Sequence, residues 1–403
     1  MTDTIVSAKH GKTPRYFTAV NTIIDQLKIG SLTFELPDGR RFESIGKEPG
    51  PHGEIIVRND DLFGRILREG DLGFCEAYMD GWYDTPDLQG LMDVIMINND
   101  SVGRGFPGQG LIKYFERFRH WMNRNTKDQA AKNISYHYDL GNEFYSAWLD
   151  DTMTYSSALY RSNNESLHEA QLNKYASIMD RMGAGENDHV LEVGCGWGGF
   201  AEYAAGTRGA KVTGLTISKE QHDFAKARMQ REGLNDKVDI VMRDYRDETG
   251  TYDGLASIEM FEAVGEKFWP GYFDMVKGRL KPGATASIQI ITIADKLFPY
   301  YRKNVDFIQK YIFPGGMLPS PGALREQTSK AGLEFTSSVE FGQSYSETLR
   351  LWHDAFNNKW DDIQKLGFDD RFKRMWDFYL TCCASCFWAG TCDVTQIAIR
   401  RPA

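Results

Sequence analysis

The run Val190-Leu191-Glu192-Val193-Gly194-Cys195-Gly196-Trp197-Gly198-Gly199 constrains this chain more than any other segment. Its first four residues read as a short strand, and Gly194, Gly196 and Gly199 then satisfy G-x-G-x-x-G. Glycine here permits a tight turn and lets a ligand approach the main chain. Phe200 to Ala205 has helical character, so strand, loop and helix form one unit of an α/β sheet. Dinucleotide enzymes and nucleoside-binding methyltransferases both use such a loop. A nicotinamide site ordinarily ends its second strand in Asp or Glu, which holds the ribose. Here Ala210 to Leu215 runs into Thr216-Ile217-Ser218, and the first acid is Glu220. Adjacent Gly198-Gly199 and the preceding Glu192 fit the methyltransferase loop better, with the dinucleotide reading still open on these residues alone.

Around the loop the pattern alternates. Leu172, Tyr175, Ala176, Met179 and Met182 mark one helical face. Ser218-x-x-Gln221 reads as a capping box. Strands are expected near Val238–Val241, Gly254–Ile258, Ala284–Ile293, Leu333–Val339 and Gln396–Ile399. This predicts a Rossmann-like, mostly parallel, doubly wound sheet. Before it, Ser31–Leu36 and Glu54–Val57 read as strands, and helical stretches begin at Leu62 and Leu88, giving a smaller N-terminal α+β domain. The expected division is a disordered N-terminus (1–15), an N-terminal α+β domain (16–102), a linker with a basic amphipathic helix (103–130) and a methyltransferase domain (131–403). The helix, Leu111 to Lys127, mixes aromatics with bases, a composition that suits packing between domains or lying on an anionic bilayer.

A net charge of −9 argues against nucleic acid as a partner. No run of eighteen apolar residues is present, and the polar start Met1-Thr2-Asp3-Thr4 lacks a signal-peptide core. A cytoplasmic protein is therefore expected. Cys383-x-x-Cys386 has no second Cys/His pair at finger-like spacing, so no metal site is expected.

Several longer segments resemble the cyclopropane fatty acid synthases. They are Tyr136-His137-Tyr138-Asp139-Leu140-Gly141-Asn142, Met153 to Tyr160, Leu191 to Gly199, Met260-Phe261-Glu262, Tyr311 to Ser320 and Glu76 to Trp82. The resemblance implies methyl transfer from S-adenosylmethionine to a cis double bond of a phospholipid acyl chain, followed by ring closure. It implies lipid association of the N-terminal domain (16–102), peripheral placement at the inner membrane surface and a homodimer. For the methyl donor it implies Tyr155, Ser156, Glu192, Gly194, Cys195, Gly196, Trp197, Gly198, Thr216, Ser218, Gln221, Asp244 and Tyr245. In the family, a cysteine, a glutamate, a histidine and a tyrosine hold a bicarbonate that accepts the released proton. Glu262 and Tyr345 match the glutamate and tyrosine, Tyr138 matches a tyrosine near the reacting carbon, and Cys383 matches a further family cysteine. Two positions depart: Ser157 replaces the bicarbonate-site cysteine and Gln289 the histidine. Both side chains still donate hydrogen bonds, but Gln289 does not titrate. A methylated alkene or methyl-branched chain is therefore the alternative product. N-methylation of a small amine and a silent lipid-binding relative are the remaining rivals.

Overall fold

Pro37-Asp38-Gly39 turns the chain back on itself because Gly39 takes φ 83°, a conformation that costs glycine little. The turn joins β1 (Ile29–Glu35) to β2 (Arg41–Ile45) as an antiparallel pair. In this computed structural model, which describes residues 12–102 and 140–403, β3 (Glu48–Val57) lies parallel to β1. The two-residue β4 (Tyr83–Asp84) closes a sheet of order β2-β1-β3-β4. β2 and β4 were not expected from the sequence: one is short and charged, the other too brief to show a period. Phe17, Phe34 and Phe63 meet edge-on beside this sheet, with ring centroids 5.1–5.8 Å apart.

The described residues form two compact units. The first holds 12–102 together with Asn304–Ile312 and Leu349–Thr391, segments that a division along the sequence places in the second domain. Side chains explain their membership. Glu76 accepts hydrogen bonds from Arg65, Lys310 and Tyr311 at 2.7–2.8 Å. Asp93, on the helix Leu88–Ile97, accepts from Gln89 at 3.0 Å, Ser385 at 2.6 Å and Arg350 at 2.9 and 3.0 Å. Asp93→Ala leaves these donors without their acceptor in a buried setting, and is expected to destabilise the first unit by about 2–4 kcal/mol in urea unfolding.

The second unit carries the alternating pattern: β5 (His189–Val193), β6 (Lys211–Thr216), β7 (Val238–Met242), β8 (Tyr252–Ile258), β9 (Leu280–Ile293), β10 (Glu334–Glu340) and β11 (Cys392–Arg400). Their order is β10-β11-β9-β8-β5-β6-β7. Only β11 runs against its neighbours. Val190, Leu191, Leu255, Ile288 and Ile290 are fully buried, as strands covered on both faces require. The strand order reverses at β5, so the crevice beyond the carboxyl ends of β5 and β8 is where such a sheet binds its ligand.

The preceding helix, Leu167–Met182, begins with a reciprocal capping box of Ser166 and Glu169. Its buried face is Gln171, Lys174, Tyr175, Ile178, Met179 and Met182, rotated from the expected stripe because two polar residues point inward. Ser218 does cap the helix Lys219–Arg231, but the Gln221 side chain turns to Thr216 instead of completing the box. The reading of residues 1–15 lies largely, and the Leu111–Lys127 helix wholly, outside the described residues.

Candidate active site

β5 delivers the chain into the glycine loop, and the backbone N–H groups of Gly194 and Cys195 both donate to Leu215 O on β6, at 3.0 and 2.8 Å. Gly194, Gly196 and Gly198 all have positive φ. A Cβ on Gly196 would meet nothing within 4 Å, which marks open space over the main chain. On one side stands an aromatic group: Tyr145 lies 5.4 Å from Tyr155 and 5.0 Å from Trp197, and Trp148 meets Tyr155 edge-on at 5.6 Å. Trp197 Nε1 donates to Asn142 Oδ1 at 2.7 Å, which fixes the indole.

At the end of β6, Thr216 Oγ1 donates to Gln221 Oε1 at 3.0 Å and accepts from Ser218 N at 3.1 Å. After β7, Asp244 caps a short turn and is held by the Arg246 guanidinium at 2.6–2.8 Å. Burial pushes the neighbouring Tyr245 hydroxyl up to about 12, so it stays protonated. Glu192 is buried and its Oε2 has no hydrogen-bond partner, an acceptor that a cationic ligand group would satisfy. Burial raises its carboxyl well above the ordinary range. Open backbone, aromatic wall and unsatisfied acceptor fit S-adenosylmethionine, which supplies an electrophilic methyl group when bound.

A polar cluster sits at the carboxyl ends of β8 and in β9. Glu259 Oε1 accepts from Ser157 N at 2.8 Å and from Gln289 Nε2 at 2.7 Å. Tyr345 lies close enough to favour its ionised form. Gln289 Oε1 accepts from Gln396 Nε2 at 3.0 Å, and Gln396 Oε1 accepts from Ser177 Oγ at 2.6 Å. Three residues on, Glu262 Oε1 accepts from Ile291 N at 2.5 Å, while its buried Oε2 has no partner. Burial, then the charge of Glu259, pushes the Glu262 carboxyl up to about 8. Opposite them Lys174 is completely buried and donates from Nζ to Ser156 Oγ at 2.7 Å. Burial draws its ammonium down to about 7, against the opposing pull of Glu259, Asp150 and Glu192.

The structure thus brings Ser157, Glu262, Gln289 and Tyr345 to one cluster, and places residues 194–198, Thr216, Ser218, Gln221, Asp244 and Tyr245 at or just past the ends of β5, β6 and β7, with Glu192 inside β5 and Tyr155 and Ser156 on a loop before the sheet. Cys195 is buried and its thiol raised well above its usual range, so it contributes backbone rather than sulfur chemistry. Cys383 belongs to the first unit, in the helix Asp370–Trp388; burial raises its thiol as well, and it rests uncharged. Tyr138 lies outside the described residues. Sequence reasoning missed Glu259, Lys174 and Gln396. The available signal for Glu259 was a second acid three residues before Glu262, directly after an apolar strand. Bicarbonate does not fit the cluster, because Glu259 already uses the donors Ser157 N and Gln289 Nε2.

Sheet order and loop define an S-adenosylmethionine-dependent methyltransferase. Residues 125–397 match the mycolic acid cyclopropane synthetase family, and the chain belongs to it. It is 38% identical over 363 residues to the tuberculostearic acid methyltransferase of Mycobacterium tuberculosis, covering 88% of this chain and 84% of that one. It is 36% identical to the cyclopropane-fatty-acyl-phospholipid synthase of Escherichia coli strain K12, covering 86% and 88%. Among solved structures, the cyclopropane synthase MmaA2 of Mycobacterium tuberculosis superposes with a TM-score of 0.63 at 26% identity, covering 67% of this chain and 98% of that one. A mycolic acid cyclopropane synthase complexed with SAH and CTAB matches with the same TM-score at 28% identity and the same coverage.

Proposed function

We propose that this methyltransferase adds one methyl group to the cis double bond of an unsaturated phospholipid acyl chain. The observation that carries the reading is the pairing of an S-adenosylmethionine cradle with a poorly solvated carboxylate cluster, Glu259 and Glu262, at the ends of adjacent strands. An alkene is a weak nucleophile, so the site must align it and exclude water. The cation left on the lipid must then lose a proton to a base held where water does not reach. Relatives named for tuberculostearic acid and for cyclopropane-fatty-acyl phospholipid support a lipid substrate. None of the described helices is long and apolar enough to cross a membrane, so the acyl chain is reached from the bilayer surface.

Ring closure is the outcome the family resemblance favours. Ser157 and Gln289, in place of a cysteine and a histidine, favour a second product, the methylated alkene. Expression in a host lacking its own synthase, fed methyl-deuterated methionine, distinguishes them by mass spectrometry of the lipid fatty acids. Labelled acyl chains are expected, as cyclopropane or as methylated alkene. Label confined to small amines, or absent from lipid, overturns the acyl-chain reading.

A further inference from the structure

The donors assigned by resemblance to a small inorganic anion are taken by a side chain of this protein. Ser157 N and Gln289 Nε2 reach Glu259 Oε1 at 2.8 and 2.7 Å. A carboxylate and bicarbonate offer the same planar, two-oxygen acceptor face, so one donor set does not serve both at once. We propose that the Glu259 carboxylate occupies the bicarbonate station and is itself the base that deprotonates the methylated acyl chain, making turnover independent of bicarbonate. This rests on the reading that the substrate is an acyl-chain alkene.

Three further observations point the same way. Glu259 is not glycine, yet its φ is +49°, a backbone conformation rarely kept without a use. Its N–H donates to Gln289 O at 2.9 Å, so Gln289 grips both its backbone and its carboxylate. Gln289 and Gln396 are fully buried, and the bond from Gln396 to Gln289 Oε1 turns the Gln289 amide nitrogen toward Glu259. A glutamine suffices here because its partner is a resident carboxylate, and a donor that never titrates holds it at any pH. Burial raises the Glu259 carboxyl above its ordinary range, while the hydrogen bond from Gln289 and the charge of Lys174 pull it back toward the ionised form.

The alkene π pair forms the new C–C bond to the methyl carbon, and the S–CH₃ pair stays on sulfur, giving S-adenosylhomocysteine. A C–H bond then breaks, either on the carbon next to the lipid cation, which gives the alkene, or on the transferred methyl, which gives the ring, and its proton passes to Glu259. Its electron pair either forms a C=C bond or closes the ring. Glu259 returns the proton to water when product leaves, and no oxidant or reductant is consumed.

The test uses the full-length enzyme, unsaturated phospholipid vesicles and methyl-deuterated S-adenosylmethionine, in buffer stripped of carbon dioxide or supplemented with bicarbonate. Wild-type turnover is expected to be equal in both. Glu259→Gln keeps an acceptor oxygen but takes no proton, so labelled product is expected to fall about 10²–10⁴-fold. Calorimetric binding of S-adenosylhomocysteine should persist and certifies the fold. Glu259→Gly, which suits the positive φ, is expected to recover at least about tenfold with added formate, acetate or bicarbonate, small anions able to enter the vacated station. A wild-type rate that collapses without bicarbonate, or a Glu259→Gln rate near wild type, overturns the inference while leaving labelled lipid to uphold the acyl-chain reading. No labelled lipid from wild type overturns both.

Discussion

A Gly194→Val substitution is expected to remove S-adenosylmethionine binding, weakening it at least about 100-fold in calorimetry, with loss of turnover to match. Two costs combine at this position. Gly194 has φ +84°, and a residue with a Cβ pays roughly 1–2 kcal/mol to enter that region. The added Cβ would also lie 2.8 Å from Met260 Cγ and 3.1 Å from Met260 Cβ. Relief must come from Met260 moving, which disturbs the residue between Glu259 and Phe261, or from the loop shifting. A loop shift breaks the paired donation of Gly194 and Cys195 to Leu215 O that sets the turn. Either movement also misplaces the ligand against the carboxylate cluster. Gly206→Ala is the control: its nearest neighbour atom is 3.8 Å from the new Cβ, and the change is expected to be silent within about 0.5 kcal/mol.

The sequence disclosed what depends on local pattern and concealed what depends on partners far along the chain. Apolar strands and the glycine loop place β5 to β11 within a few residues, and the helix Leu88–Ile97 has the bounds its pattern suggests. The helix Leu167–Met182 departs from its own apolar pattern. Counting apolar residues selects Leu172 and Ala176, yet Gln171 and Lys174 are the buried ones, because they serve Ser156. Gln289 reads as a lost histidine until Glu259 and Gln396 stand on either side of it, 30 and 107 residues away. The extent of the first unit was hidden for the same reason, since Arg350 and Ser385 join Asp93 only after the fold has formed.

Glu262→Gln is expected to remove the decline in stability that Glu262 imposes as pH rises, and to separate the duties of the two carboxylates. The folded protein holds the Glu262 carboxyl at about 8, raised from 4.5 first by burial and then by the charge of Glu259. The folded state therefore binds a proton between those values that the unfolded chain has released. Stability from this group is complete below about 4.5 and is lost as pH rises through 8. The full cost of ionising it in place is on the order of 5 kcal/mol. Glutamine escapes that cost, so in urea unfolding the variant should gain on wild type between pH 5 and 8.5 and exceed it above pH 8. A wild type whose stability does not fall across this window would refute the assignment. Activity reads the chemistry. At neutral pH Glu262 is largely protonated: one oxygen accepts from Ile291 N and the other side offers a donor. An amide reproduces both faces, so Glu262→Gln should stay within about tenfold of wild type at pH 7 while Glu259→Gln loses far more. The reverse ranking would move the base from Glu259 to Glu262. With the expected ranking, Glu259 is the acid whose upward shift by burial is opposed by Gln289, Lys174 and Ser157 N, all of which favour its ionised form. Its neighbour stays neutral because a second charge there has no counterion.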